Sequence, residues 1–178
     1  GKELKKVDAE DPRHAVLVDS LMYLHDKRME LYPSTKRSPN NRCVVLGRKA
    51  TDFYKYNKDA HQEAYTMFKE SLDCLGAEAS ATTLYQYYTA SFYTMKRSLK
   101  GDTLAQSNMR AQMLTDYLSL VDYIETGVAR ATEAGKERDL KRYEKAKKNV
   151  ETVFVAIADC DDMVPVLATA VAADSSNM

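Results

Sequence analysis

The chain has 178 residues, enough for one substantial hydrophobic core and short for two. Charged residues make up 29% and apolar residues 44%, a balance that excludes wholesale disorder. The 26 basic and 26 acidic side chains cancel, which argues against a general polyanion binder, so no nucleic-acid partner is expected. The longest apolar runs, Val153 to Ala158 and Val164 to Ala173, fall short of the roughly 18 residues a membrane helix needs. No membrane span is expected in this segment. The chain opens on Gly1 in place of Met, as after tag cleavage, so the lack of an export signal carries no information.

Residues 1–12 form a polar lead-in ending in Asp11-Pro12, a good helix entry. The first helix is predicted from about Arg13 to Leu31, with Val16, Leu17, Leu21, Leu24, Arg28 and Leu31 marking its period, and Tyr32-Pro33 ends it. Ser34 to Asn41 is the most loop-like stretch and is expected to be mobile. Val44 to Gly76 then reads as a helical hairpin turning at Asn57-Lys58-Asp59, with Val44, Val45, Leu46, Ala50, Phe53 and Tyr54 answered by Ala64, Met67, Phe68, Leu72 and Leu75. Gly76 closes its second helix. Such a hairpin cannot bury its stripes alone and must stack on another.

Ser80 caps the next helix, predicted to run to about Leu99 with Tyr85, Tyr88, Phe92, Met95 and Leu99 as a two-sided seam. Gly101-Asp102 separates it from the longest helix, Thr103 to Ala134, where a break near Ser107-Asn108 or a bend at Gly127 is expected. Gly135 closes that helix. Another follows over Lys136 to Ala158, with Lys147 laying its stem on the seam. Asp159 to Asp162 then cap a last helix, Met163 to about Ala172, with Pro165 in its first turn, before the polar tail 173–178. No strand pattern appears. The fold class is all-α: a right-handed stack of about three antiparallel hairpins in one domain over residues 13–172.

Ala64 and Phe68 make the Ala-x3-Phe of a tetratricopeptide second helix, and Leu46-Gly47 resembles the Leu-Gly of its first. Cys43 and Ala50 stand where that pattern has Trp and Tyr. A weak internal match at an offset of 52 pairs Tyr65 with Tyr117, Phe68 with Leu120 and Leu72 with Ile124, an offset too long for a regular repeat of about 34 residues. More specifically, Asp19 to Arg28 (DSLMYLHDKR), Val45 to Ala50 (VLGRKA), Glu63 to Leu72 (EAYTMFKESL) and Ala158 to Asp161 (ADCD) together resemble a family of uncharacterised tetratricopeptide-type proteins of Bacteroidetes. Where that family has Leu-Met-x-x-Tyr-Asp-Lys-Arg, His25 replaces the Tyr. The resemblance covers most of residues 16–167. It implies an exported protein of the periplasm or cell envelope with further repeats on either side. It transfers no functional residues.

Few residue sets suggest chemistry. His14, His25 and His61 lie in different segments without a second His or Cys at i+3 or i+4, so surface or cap roles are expected and no metal. Asp159, Asp161 and Asp162 read as carboxylates favoured at a helix start, since their spacing is not that of a calcium loop. No nucleophile motif or phosphate-cradling glycine loop is present, so neither catalysis nor a cofactor is expected. The basic run from Lys136 to Lys148 is interleaved with acids, with Glu137–Lys141 and Glu144–Lys148 at i, i+4, and reads as a solvated helix face.

The tyrosines are the best lead. A seam through Tyr85 and Tyr88 cannot also bury Tyr87, so Tyr87 is expected to face outward and, beside Arg48 and Lys55, to form an amphipathic peptide groove. Its alternative is packing on the neighbouring hairpin. Cys43 and Cys74 are equally far from the turn and so lie level at the open end of the hairpin. A bridge between them also needs suitable helix phase and an oxidising compartment; a reducing one leaves all three cysteines free. The expected function is a non-catalytic scaffold for a protein or peptide partner. The alternative is a glycan-binding part of an exported bacterial lipoprotein, against which the absence of Trp weighs.

Overall fold

The computed structural model describes residues 4, 7, 8, 10–32, 34–36, 38–57, 59–159, 162 and 164. Six helices carry the described chain: α1 (Pro12–Leu31), α2 (Asn41–Tyr56), α3 (His61–Leu75), α4 (Ala81–Tyr93), α5 (Thr103–Glu133) and α6 (Glu137–Val155). Among the described residues the only extended pairing is one antiparallel bridge, Thr35 to Ser38. The helix ends follow local chemistry. The Asp11 carboxylate accepts from Arg13 N with Pro12 in the first turn, Ser80 Oγ accepts from Thr83 N, and Asp102 accepts from Ala105 N. Gly76 and Gly135, both at positive φ, follow α3 and α5 where an L side chain would be strained.

Helix α2 begins at Asn41, ahead of the expected Val44, and three further features differ from the sequence reading. The α-helical part of α4 stops at Tyr93 and gives way to one π-helical turn over Thr94–Ser98, closed by Leu99 N donating to Thr94 O at 2.9 Å. Helix α5 runs its full 31 residues, uninterrupted at Ser107, Asn108 or Gly127. Helix α6 ends at Val155, and Ala156 to Ala158 continue as a turn bonded back to Val153 and Phe154. Most of the predicted helix Met163–Ala172, with Pro165, lies outside the described residues, as do Lys58, the tail and part of the lead-in.

Consecutive helices run antiparallel, as short links require. Between α3 and α4, His61 stacks on Tyr93 and Tyr65 on Tyr87. Between α4 and α5, Met95 O accepts from Gln106 and Met113 O from Tyr88. Between α5 and α6, Arg110 Nε donates to Ile157 O, Glu125 accepts from Lys147, and Arg130 Nη2 donates to the Tyr143 hydroxyl. Helix α4 sits at the centre, packed on α2, α3, α5 and α6. Its Leu84 and Tyr88 join Phe68, Met113, Leu120, Ile124 and Val150 as fully buried side chains of one core. Helix α1 packs on α2, tied by Lys49–Asp26 at 2.5 Å and His25–Asp52 at 2.9 Å.

Candidate functional site

The groove expected around Tyr87 is not formed. Tyr88 is buried as expected at 0% exposed, but Tyr87 is buried too at 3% and Tyr85, expected on the seam, is only half-buried. The physical reason lies in the position of α4. With four helices around it, α4 buries Ala81, Thr83, Leu84, Tyr87, Tyr88, Ala90 and Ser91 and has no single seam. Tyr87 faces α3 and α5, stacked on Tyr65 with ring centroids 5.5 Å apart. Arg48 and Lys55 are exposed on α2, where Lys55 Nζ lies 4.7 Å from the centroid of its neighbour Tyr56. The three residues therefore do not meet on one surface.

Tyr87 instead anchors a polar contact that the sequence reading missed. Its hydroxyl donates to Asp116 Oδ2 at 2.5 Å, and Gln112 Nε2 donates to the other carboxylate oxygen at 2.7 Å. Burial first, and then the Asp116 carboxylate, push the Tyr87 phenol far above its ordinary range, so it stays a protonated donor. Beside this pair lies a concavity of about 270 Å³ whose walls include Lys69, Asp73, Ser119 and Tyr123. Lys69 binds Asp73 at 2.9 Å, and that hydrogen bond raises its pKa. Tyr87 and Lys69 both keep their protons near neutrality and act there as hydrogen-bond donors.

Cys43 and Cys74 form a disulfide with alpha carbons 6.1 Å apart, closing the open end of the α2–α3 hairpin. Cys160 lies outside the described residues.

His61 departs from the surface or cap role expected of it. It is 5% exposed, stacked on Tyr93 and edge-on to Tyr54, and neither ring nitrogen has a hydrogen-bond partner among the described residues. Burial, and then the nearby Arg97, lower its pKa. Asp159 and Asp162 receive a counter-charge from outside their own segment: Arg110 of α5 reaches both. Asp161 lies outside the described residues. Among the described residues the ion pairs on α6 are Arg142–Asp139 at 3.0 Å and Lys147–Glu125 at 2.8 Å, in place of the expected i, i+4 pairs. Among the described residues no group of three or more His, Cys, Asp or Glu could hold a metal, and no helix is long and apolar enough to cross a membrane. Comparison with known protein families, curated proteins and solved structures finds no match to this chain.

Proposed function

We propose that the chain is a tetratricopeptide-like, right-handed stack of hairpins that acts as a non-catalytic scaffold for a protein or peptide partner. The observation that carries the reading is the order of packing. Helix α4 packs on α2 and on α6 as well as on its sequence neighbours, the pattern of first helices meeting along a stack. With α2–α3 and α4–α5 as successive hairpins, α2, α4 and α6 would line the inner surface, and Arg48 and Lys55 would stand on it. The Cys43–Cys74 bridge supports an exported location, periplasm or cell envelope, because cytosolic thiols are kept reduced.

Selection of a peptide display library against the folded chain tests the reading. Enriched peptides should share a motif, and the double variant Arg48→Glu, Lys55→Glu should lose their binding. No enrichment, together with saturable binding on a glycan array, would replace the scaffold with the glycan-binding alternative.

A further inference from the structure

A second concavity, of about 300 Å³, opens where the last turn of α5 meets the first turns of α4 and α6. Its apolar part is Ala81, Ala131 and Tyr143, all nearly fully buried. The Tyr143 hydroxyl donates to Ala79 O at 3.1 Å and accepts from Arg130 Nη2 at 3.1 Å, and the same Nη2 reaches Ala77 O at 3.3 Å. Arg130 is thus held by neutral acceptors alone, and its Nε and Nη1 make no bond among the described residues. Its guanidinium is positioned without a carboxylate partner among the described residues, which leaves two of its nitrogens able to donate to an anion.

The charge count narrows the ligand. Arg142 is paired with Asp139, and Glu78 accepts from Asn40 at 2.8 Å. Lys136 has no ion-pair partner among the described residues. The lining therefore carries three cations, Arg130, Lys136 and Arg142, against two carboxylates, Glu78 and Asp139, a net charge of one. A phosphate dianion would meet Glu78 with too little positive charge to offset the repulsion, whereas one carboxylate matches the excess. The positive ends of α4 and α6 add in the same direction, and the negative end of α5 offsets part of them. The volume and the apolar part suit a ligand with a short hydrocarbon body.

We infer that this concavity binds a small organic monocarboxylate, its carboxylate on Arg130 and Lys136 and its apolar body against Ala81, Ala131 and Tyr143. The site stands apart from the peptide-binding reading and does not depend on it. Amide chemical-shift titrations of the full chain with hexanoate, acetate, inorganic phosphate and chloride at fixed ionic strength test it. Saturable shifts at Thr82, Ala131 and Glu137 are expected with hexanoate, weaker ones with acetate and none with phosphate or chloride. Arg130→Gln should weaken hexanoate binding about ten- to a hundredfold, and Lys136→Gln should also weaken it, while Arg48→Gln leaves it unchanged. Lys136 is exposed, so Lys136→Gln should keep the wild-type spectrum elsewhere, whereas Arg130→Gln also removes the bond to the Tyr143 hydroxyl and should shift only the residues around Tyr143. Shifts that never saturate, phosphate binding as tight as hexanoate, or hexanoate binding that survives Arg130→Gln would each overturn the proposal.

Discussion

Tyr87 and Tyr88 are neighbours, both nearly free of water, and their hydroxyls serve different acceptors. Tyr88 gives its proton to the neutral carbonyl of Met113 at 3.1 Å, Tyr87 to the Asp116 carboxylate at 2.5 Å. A bond to a charged acceptor is worth more, so in urea denaturation Tyr87→Phe should cost about 1–2 kcal/mol and Tyr88→Phe about 1 or less; equal costs would refute the assignment. Tyr88→Ala should cost about 3–5 kcal/mol as a cavity. His61 gives a pH signature. Its folded pKa lies below the unfolded 6.5, so the unfolded chain binds the proton first and stability falls as pH drops through about 6.5. Arg97 deepens the effect and Asp59 and Glu63 oppose it. The wild-type melting temperature should therefore fall from pH 7 to 5, and His61→Phe should flatten that slope. An unchanged slope would place the titrating group elsewhere.

The helices were legible wherever a cap and a period coincided: Asp11-Pro12, Ser80 and Asp102 open helices as read, and Gly76 and Gly135 follow their ends. The phase of α4 was not legible, because a helix buried on several sides has no polar face to fix it. Nor was the π-helical turn at Thr94–Ser98, which no residue type announces. The Arg130–Tyr143 contact was equally hidden, since it joins positions from two helices whose relative register only packing sets. Gly127 shows how tight that packing is. A Cβ there would lie 2.4 Å from the Tyr143 ring, whose hydroxyl is pinned on both sides. Gly127→Ala gains up to about 1 kcal/mol of helix propensity but overpacks by about 1–3 kcal/mol, so net destabilisation is expected in thermal melts. A gain in stability would show that the ring moves freely.

The disulfide acts on the same scale, closing a loop of 31 residues, for which chain entropy predicts about 3–4 kcal/mol. The sequence placed Cys43 and Cys74 level but could not say whether their side chains face each other; helix phase decides that. Reduction should lower the melting temperature, and unfolded, unreduced protein should titrate one thiol of its three cysteines. Three reactive thiols would remove the bridge from the account.

For the whole molecule, the account rests on α4 being the centre around which the other helices are arranged. Seven of its thirteen residues are buried, against one of twenty in α1, where Val16, Tyr23, Leu24 and Leu31 stand exposed. Burial on this scale sets the free energy of local opening. All-helical architecture was readable from periodicity alone; the central place of α4 was not, because the α2–α3 hairpin has the clearer stripes and draws the eye first. Native-state hydrogen exchange resolved by residue is the most direct test. The amides of Leu84 to Ser91 should exchange slowest, near the global unfolding limit, and those of α1 should exchange orders of magnitude faster. Protection in α1 equal to that in α4, or fastest exchange within Leu84 to Ser91, would contradict the arrangement.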